Sequence, residues 1–469
     1  MKDYKEEILD WLRAHTDDML SDISTLIRIN SEKMDEEPGM PYGLGAYEAL
    51  TCALDMAEGY GFSVKSYDGY VGCCDLNDKE KQLDILAHLD VVPVTPENWT
   101  VTAPFEPVVR NGCLYGRGSS DDKGPAVAAL YAMRAVKELG IPLRKNVRLI
   151  LGTDEECGSS DIEYYYRKEE EAPMTFSPDA EFPVINLEKG HFVGRIHAQL
   201  ENGSEQGLKL CSIKSGSKFN VIPGDCEAFI KGLTEADRIQ ISKSAEEIGL
   251  SVSFDDNNGG TTVCLAGKSG HAASPELALN ALTATLSVFA GLKLTGDAGS
   301  CIRSLAALFP HGDYAGKAAH ISLCDEISGS LTCSLDMLSF DGENMSAVFD
   351  IRFPVCGNRE NIIDVLSKEL EAEGLSLEVE SFVQPHYVPE DSEFIKALLK
   401  SYELFKDKPG RCVAIGGGTY VHNLKNGVAF GPVELDTQTN LHGNDENIPV
   451  EELVIAAAIY AEAIILLCS

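Results

Sequence analysis

Five short segments of the chain hold the residue types that bind metal ions and move protons. They are AHLD at 87–90, GSSDDKG at 118–124, GTDEECG at 152–158, SPDAEFP at 177–183 and NLHGNDEN at 440–447. Together they supply imidazole nitrogens and carboxylate oxygens, which suit zinc or manganese. Two such ions held ~3.5–4 Å apart can activate a water molecule and polarise a carbonyl group at once. This donor set predicts a hydrolase with a two-metal site.

Taken singly, each segment also has an ordinary structural explanation. A His-x-Asp triplet is more often structural than metal-binding, and two adjacent acids ahead of a helix stabilise its macrodipole. Consecutive glutamates also occur in the solvated loops of an acidic chain. The metal prediction therefore rests on the combination of two histidines with three carboxylates, namely His88, Asp121, Glu156, Asp179 and His442.

Neighbouring residues within two of the segments favour different tasks. Alternate residues of a strand share a face, so Asp90 can orient His88 and raise the basicity of its imidazole. Glu155 and Glu156 would repel each other unless a cation lay nearby, and their side chains point in different directions. One can act as a base and the other as a ligand, and the residues alone leave open which does which.

The overall charge argues against two classes of partner. The chain has 74 acidic and 39 basic residues and a formal charge of −35, which repels nucleic-acid backbones and anionic membrane surfaces. Its first helix is charged and amphipathic, and no segment approaches the ~18 apolar residues of a spanning helix. We therefore expect a cytoplasmic protein with neither nucleic-acid nor membrane partners. The 14 cysteines never form a C-x-x-C pair and are expected to be buried free thiols.

Strands and helices alternate at both ends of the chain and must bring the segments together. The apolar runs of KQLDILAH and NVRLILG predict buried strands that end at His88 and just before Asp154. In open α/β sheets, ligands bind at the carboxyl ends of such strands. Pro125 and Gly140 predict the first turn and the end of the helix that follows the acids at 121 and 122.

The middle of the chain has a different pattern. From about Leu187 to Gln384, hairpins, an amphipathic helix and strands follow one another in an order that occurs twice. We therefore predict one domain formed by residues 1–186 and 384–469, which holds the metal site. A second domain, residues 187–383, is inserted into it and consists of two similar α+β units.

The segments, in their order along the chain, resemble those of a known family. H-L-D, G-R-G-S-S-D-D-K-G-P, L-G-T-D-E-E, S-P-D-A-E-F-P, G-H-A-A-S-P, G-G-G-T-Y and the late His442 are similar to motifs of the aminoacylase/carboxypeptidase-like di-zinc metallopeptidases. Within that family the chain looks most like the monomeric bacterial Xaa-His dipeptidases, which are carnosinase-like. The resemblance covers essentially the whole chain. It implies a zinc-peptidase-like α/β/α catalytic domain with an inserted α+β lid domain made of two similar ferredoxin-like halves.

The resemblance also implies how the metal ligands are shared. Asp121 would bridge two divalent ions, with zinc expected and manganese or cobalt as alternatives. Glu156 and His442 would complete one site, and His88 and Asp179 would complete the other.

The same resemblance implies roles for the residues beside the ligands. Asp90 would orient His88, and Glu155 would be the general base that takes a proton from the attacking water. The peptide bond between Asp121 and Asp122 is expected to be cis.

Residues of the insert are implied to bind the substrate. His271 would donate a hydrogen bond to the scissile carbonyl oxygen, where charge develops in the transition state. Asn220 would hold the substrate, and Arg352 would bind its terminal carboxylate. A glycine-rich segment would lend backbone N–H groups to the same carboxylate, through Gly417, Gly418 and Thr419. Without the resemblance, a solvent-exposed loop histidine, an arginine on a strand surface and a tight glycine turn would explain the same residues.

Three functions fit these observations. The first is broad-specificity, Xaa-His type hydrolysis of unblocked dipeptides by a metal-activated water, in a monomer whose partner is a small dipeptide. The second is a metal-dependent deacylase of N-acyl amino acids, which needs no amine recognition. The third is a non-catalytic metal-binding homologue. Such a homologue would have lost the base or a ligand, whereas Glu155 and the five ligand residues are all present.

Overall fold

The computed structural model describes residues 3–200, 207–257 and 259–469. The helices in these ranges are α1 (Lys5–Ala14), α2 (Thr16–Ile27), α3 (Leu44–Gly59), α4 (Lys123–Glu138), α5 (Ser160–Tyr166), α6 (Glu235–Ile248), α7 (Ala281–Ala290), α8 (Gly296–Leu308), α9 (Arg359–Ala372), α10 (Glu393–Lys406) and α11 (Val450–Cys468).

The strands in the same ranges are β1 (Ser63–Tyr67), β2 (Val71–Asp75), β3 (Lys81–His88), β4 (Val108–Arg110), β5 (Cys113–Tyr115), β6 (Asn146–Gly152), β7 (Met174–Ser177), β8 (Ala180–Phe182), β9 (Val184–Glu188), β10 (Gly190–Gln199), β11 (Lys209–Ser215), β12 (Val221–Ile222), β13 (Asp225–Lys231), β14 (Ser251–Asn257), β15 (Gly260–Ala266), β16 (Gly270–His271), β17 (Cys324–Asp325), β18 (Gly329–Ser330), β19 (Thr332–Phe340), β20 (Asn344–Phe353), β21 (Ser376–Val383), β22 (His386–Tyr387), β23 (Cys412–Ile415), β24 (Gly427–Ala429), β25 (Pro432–Glu434) and β26 (Asn447–Pro449).

The chain divides into two compact units. Unit 1 consists of Met1–Leu187 and Tyr387–Ser469, and unit 2 consists of Glu188–His386. The boundaries expected from the sequence pattern were 186/187 and 383/384. Each unit has its own cluster of buried apolar side chains.

The sheet of unit 1 brings together the strands that precede the predicted metal residues. It has nine strands in the order β1-β2-β6-β3-β7-β24-β9-β22, with β23 paired to β9. β3 lies parallel between β6 and β7, and His88 at its end is in register with Gly152 at the end of β6. As predicted, both KQLDILAH and NVRLILG form largely buried strands. Their carboxyl ends therefore lie side by side at one edge of the sheet.

Helix α4 fixes the loop that carries the two adjacent acids. It is buried along most of its length and packs against α11 in the core of unit 1. Gly124 is required in its first turn, because a Cβ atom there would lie 2.0 Å from the carbonyl oxygen of Ser119. Gly140 follows the helix with a φ of 63°, the left-handed conformation predicted for a helix stop.

Unit 2 is built on an antiparallel eight-stranded sheet. Its order is β14-β15-β13-β11-β19-β20-β10-β21. The hairpins predicted from the sequence are β14 with β15 and β19 with β20. The repeated pattern predicted two similar α+β units. One half of the continuous sheet holds β14, β15, β13 and β11, and the other half holds β19, β20, β10 and β21. In this sheet β10, the first strand of the unit, lies between the later strands β20 and β21. The order of strands in a sheet depends on contacts between residues far apart in the chain, so it need not follow the order of the sequence.

Two further expectations concern the whole described chain. No described helix combines the length and the apolar character that crossing a membrane requires. All fourteen cysteines are free, as expected, but only six are buried. Cys157, Cys324 and Cys356 are exposed, so the expectation of burial was wrong for these three.

Candidate metal centre

Five segments of unit 1 carry the predicted metal residues. His88 is the last residue of β3, Asp121 lies in the loop before α4, Glu156 lies in a single 3-10 turn after β6, Asp179 lies between β7 and β8, and His442 lies in the loop between β25 and β26. The structure brings these five side chains together.

Asp121 lies at the centre of the cluster. Its Oδ1 is 2.9 Å from Nε2 of His88, which is also 3.6 Å from Oδ2 of Asp179. Its Oδ2 is 2.8 Å from Nε2 of His442, which is 3.4 Å from Oε1 of Glu156. Each oxygen of Asp121 therefore faces a different histidine, an arrangement that suits a bridging carboxylate. The peptide bond between Asp121 and Asp122 is cis, as the resemblance implies.

Asp90 contacts both the first histidine and the turn with the two glutamates. Its Oδ1 accepts the backbone N–H of Glu155 at 3.2 Å, and its Oδ2 accepts that of Glu156 at 3.1 Å. Nδ1 of His88 lies 3.1 Å from the carbonyl oxygen of Asp90 and 3.4 Å from its carboxylate. Asp90 therefore fixes the main chain of both glutamates as well as facing His88.

A second buried carboxylate, that of Asp161, anchors the same turn. Its Oδ2 accepts the backbone N–H of Thr153 at 2.6 Å and that of Asp154 at 3.0 Å. The hydroxyl of Tyr420, from the G-G-G-T-Y segment, donates to the same oxygen at 2.5 Å. The Tyr420 ring also lies edge-on to the His88 ring, with centroids 6.2 Å apart. Asp161 and Tyr420, which lie far apart in the sequence, thus together support the main chain just before Glu155 and Glu156.

Burial and mutual proximity shift the pKa values of these groups. Burial raises the pKa of Glu155 to about 9, and neighbouring carboxylates add to that rise. Burial would also raise the pKa of Asp121, but its hydrogen bonds with His442 and His88 hold that pKa well below its usual range. Hydrogen bonds with Asp121 and Glu156 raise the pKa of His442 to about 10. The carboxylates thus favour positive charge beside them, whether from protons or from a bound cation.

The donor set fits divalent metal ions. One group of three ligand atoms comes from His88, Asp121 and Glu156, and a second comes from His88, Glu155 and Asp179; within each group the atoms lie within 4.8 Å of one another. Imidazole nitrogen and carboxylate oxygen are the ligands that zinc and manganese take in proteins. The cluster can therefore hold metal, and it holds Glu155 close to the same atoms.

The cluster forms one wall of a cavity within unit 1. The cavity has a volume of about 530 Å³, which is in the range of small-molecule sites. Beyond the cluster its wall includes Glu181, Ile185, Ile415, Gly418, Thr419 and Val433. Two residues of the predicted glycine segment thus face this cavity. At the third, Gly417, a Cβ would meet open space, with no described residue beyond its chain neighbours within 4 Å.

His271 and Asn220 are neighbours in unit 2. Strand β12 pairs with β16, and the N–H of Ala272 donates to the carbonyl oxygen of Asn220 at 3.1 Å. Nδ1 of His271 accepts the N–H of Ala273 at 3.1 Å, so the neutral imidazole carries its proton on Nε2. Partial burial, together with the charge of Arg352, lowers the pKa of His271. At neutral pH the side chain is therefore an uncharged N–H donor.

Arg352 lies on β20 and is held by an acid on the same strand. Its Nε donates to Oδ1 of Asp350 at 2.7 Å, and its Nη2 donates to Oδ2 at 2.9 Å. Asp350 also lies 2.9 Å from Nε2 of His191. Arg352 is only 7% exposed, so the alternative explanation as a plain surface charge does not fit.

Two charged residues next to the metal motifs have positions that the sequence pattern did not single out. Arg117 and Glu446 are 2% and 0% exposed and form an ion pair of 2.6 Å. They are the R of G-R-G-S-S and the E of H-G-N-D-E-N. Their position beside two metal motifs was the only signal, and they lie 329 positions apart in the chain.

Comparisons with known proteins agree with the resemblance. The model of Peptidase family M20/M25/M40 matches residues 85–466. The chain is 36% identical over 457 residues to the putative dipeptidase YtjP of Bacillus subtilis (strain 168), with 96% of each chain covered. It is 33% identical over 459 residues to a Beta-Ala-Xaa dipeptidase of Lactobacillus delbrueckii subsp. lactis, again with 96% of each covered.

The fold is also that of a solved dipeptidase structure. The crystal structure of human carnosine dipeptidase 1 matches with a TM-score of 0.61 at 14% identity, covering 99% of both chains. This likeness shows the fold, and the family match shows the class of reaction. The chain is therefore a member of Peptidase family M20/M25/M40, an enzyme that hydrolyses peptide bonds.

Proposed function

We propose that this peptidase hydrolyses unblocked dipeptides of broad sequence, Xaa-His dipeptides among them, with the help of two divalent metal ions. The observation that carries the proposal is the position of Asp121, whose Oδ1 lies 2.9 Å from His88 and whose Oδ2 lies 2.8 Å from His442, at the wall of the 530 Å³ cavity. A relative at 33% identity is named a Beta-Ala-Xaa dipeptidase, which supports the same class of substrate.

The five clustered residues would hold the metals. Asp121 would be shared by two ions, Glu156 and His442 would complete one site, and His88 and Asp179 would complete the other. Zinc is the metal that this donor set favours, with manganese or cobalt as alternatives. When bound, the metals lower the pKa of water to ~7 and polarise the scissile carbonyl.

Glu155 is the general base. A carboxylate oxygen of Glu155 lies within 4.8 Å of ligand atoms of His88 and Asp179, and Asp90 fixes the backbone of Glu155. Glu155 takes a proton from the attacking water and returns it to the leaving amine. Asp90 acts as a positioning residue for both His88 and Glu155.

Polar groups other than the metal ligands bind the substrate. His271 donates from Nε2 to the scissile carbonyl oxygen, and the Ala273 N–H bound to its Nδ1 supports this tautomer. Arg352 binds the free carboxylate, and Asn220 holds the peptide. Backbone N–H groups of the glycine segment assist at the carboxylate, from Gly417, Gly418 and Thr419.

A substrate panel tests the proposal. Protein stripped with a chelator is restored with zinc, manganese or cobalt in turn and assayed on free dipeptides, including β-alanyl-histidine, and on their N-acetylated and C-amidated forms. We expect chelation to abolish activity, metal to restore it, and free dipeptides to be cleaved fastest. Faster cleavage of N-acyl amino acids would support the deacylase instead. Activity that survives exhaustive chelation would contradict the metal mechanism.

The monomeric state, the cytoplasmic location and the lack of nucleic-acid or membrane partners stay predictions from the sequence. Light scattering coupled to size-exclusion chromatography measures the first of these directly.

A further inference from the structure

The loop before α4 wraps around the carboxylate of Glu446. Oε1 of Glu446 accepts the backbone N–H groups of Gly118, Ser120 and Asp121 at 3.1, 2.9 and 3.2 Å, and the hydroxyl of Ser120 at 3.0 Å. Its Oε2 accepts Nη1 of Arg117 at 2.6 Å. Because Glu446 is fully buried, these contacts replace the water that the carboxylate would otherwise bind. The main chain of Asp121 is therefore tied to Glu446.

Arg117 extends this contact to the loop that carries His442. Its Nη2 donates to the carbonyl oxygens of His442 and Gly443 at 3.3 and 3.1 Å. The ring of Trp99 covers the guanidinium at 5.5 Å. A single guanidinium therefore joins Glu446 to the main chain of His442, and through Glu446 to that of Asp121.

The main chain around His442 is held by contacts with other segments, from Arg117 and from Thr100 and Val101, whose groups donate to Asp445. Asn440, His442 and Asp445 have φ angles of 56°, 58° and 55°, left-handed conformations that Asn, His and Asp adopt more readily than other residues with side chains. Such conformations persist where surrounding contacts fix them. The imidazole of His442 is itself 54% exposed, so packing around the ring contributes little to its position.

His88, in contrast, is held by a strand and by other acids. It ends β3 and is fully buried. Its N–H donates to Oδ2 of Asp122 at 3.1 Å, and its Nδ1 lies 3.1 Å from the carbonyl oxygen of Asp90. These contacts do not pass through Arg117 or Glu446. Changes to that pair should therefore affect the two proposed metal sites unequally.

We propose that the buried Arg117–Glu446 pair positions Asp121 and His442 for the metal ion that they share with Glu156, and thereby sets the affinity of that site. The inference rests on the two-metal function proposed above. Both members of the pair are positioning residues, because they act through the ligands. Substitution of residues that hold the ligands in place typically lowers the affinity for the metal ~10–100-fold.

Zinc titration of chelator-stripped variants by calorimetry tests the inference. Arg117→Met removes the forked donors, and Glu446→Gln removes the charge while keeping one acceptor. We expect the parent to bind two ions tightly, and each variant to bind the ion at Asp121, Glu156 and His442 ~10–100-fold more weakly. The ion at His88 and Asp179 depends on the pair only through Asp121, so its affinity should fall by a smaller factor. Arg117→Lys should restore little of the lost metal affinity, because a single ammonium group cannot reproduce the forked hydrogen bonds of the guanidinium.

A double variant separates positioning from folding. Loss of one member of a buried ion pair can unfold a protein, whereas Arg117→Met combined with Glu446→Gln removes both charges. This variant should regain thermal stability, and its affinity for the more weakly bound ion should stay low. Parental affinity at both sites in the double variant would overturn the inference.

Arg148→Met is the matched control. Arg148 pairs with Asp75 in the same unit, through Nε at 2.9 Å and Nη2 at 3.0 Å. This variant should lower the thermal midpoint and still bind two ions. Unchanged binding in the Arg117 and Glu446 variants, or equal weakening of both ions, would overturn the inference while leaving the proposed function intact. A parent protein that binds no metal would overturn both.

Discussion

The candidate metal cluster of unit 1 and the Asp350–Arg352 pair of unit 2 bury charge in opposite ways. In the cluster, like charges are gathered: the carboxylates of Asp121, Glu156 and Asp179 lie around two imidazoles. In unit 2, opposite charges are paired, since both oxygens of Asp350 bind the guanidinium of Arg352. A cluster of like charges needs an outside cation, whereas a paired charge is already balanced. The cluster of unit 1 therefore suits a bound metal ion, whereas the Asp350–Arg352 pair of unit 2 needs none.

The largest expected effect separates the two glutamates within the cluster of unit 1. Glu155→Gln should keep both metal ions but lower kcat by up to ~10⁴-fold, because only proton transfer is lost. Glu156→Gln should instead lower the affinity for one of the two ions. Metal analysis beside steady-state kinetics measures both variants. Equal metal loss in the two would show that the roles of base and ligand are assigned wrongly.

The next effect tests the oriented donor of unit 2. His271→Ala should chiefly lower kcat, by ~10²–10³-fold for the loss of one oxyanion donor, and leave metal content unchanged. His197→Ala is the control, since His197 is a partly exposed histidine of the same unit paired with Glu378 at 2.9 Å. Kinetics equal to the control would contradict the oxyanion role. A loss of metal would place His271 among the ligands instead.

A smaller effect is expected from the paired charge of unit 2. Arg352→Ala should chiefly raise KM for free dipeptides, by roughly tenfold to a hundredfold for one charge-assisted hydrogen bond. It should also reduce the preference for free over C-amidated dipeptides. The comparison is with Arg195→Ala, which removes an arginine paired with Glu380 in the same unit. If the parent already cleaves amidated dipeptides as fast as free ones, Arg352 does not bind the carboxylate.

Asp336 is an exception to the paired charges of unit 2, and we expect its substitution to leave turnover unchanged. It is fully buried, and its Oδ2 has no hydrogen-bond partner among the described residues. Burial raises its pKa to about 8 from an ordinary 3.8. The folded protein therefore holds a proton that the unfolded chain releases, so stability falls as the pH rises from about 4 to about 8.

Asp336→Asn should remove this dependence. In urea titrations its stability gain over the parent should be larger at pH 8.5 than at pH 5.5, growing by at most ~1.4 kcal/mol per pH unit. Asp364→Asn, at an exposed position of α9, should show no such gain. The same gain at both pH values would mean that Asp336 is ionised in the folded protein throughout.

Much of the local structure could be predicted because it depends on nearby residues. The apolar run before His88 is a strand and the segment after the acids at 121 and 122 is a helix, as periodicity and the positions of Pro125 and Gly140 predicted. The family was also recognisable, because its motifs are short and keep their order. The place of β10 within the sheet of unit 2 could not be predicted, because strand pairing depends on contacts far apart in the chain.

The sequence by itself determined which residue types the protein carries and in what order. These residues include donors for two metal ions, a candidate base and a peptidase-like arrangement of motifs. Only the tertiary structure decided which oxygen of Asp121 faces which histidine, that the proton of neutral His271 lies on Nε2, and that Arg117 contacts Glu446 across 329 positions. The physical reason is that donor chemistry belongs to each side chain alone, whereas burial, pKa and hydrogen-bond partners arise from groups that folding brings together.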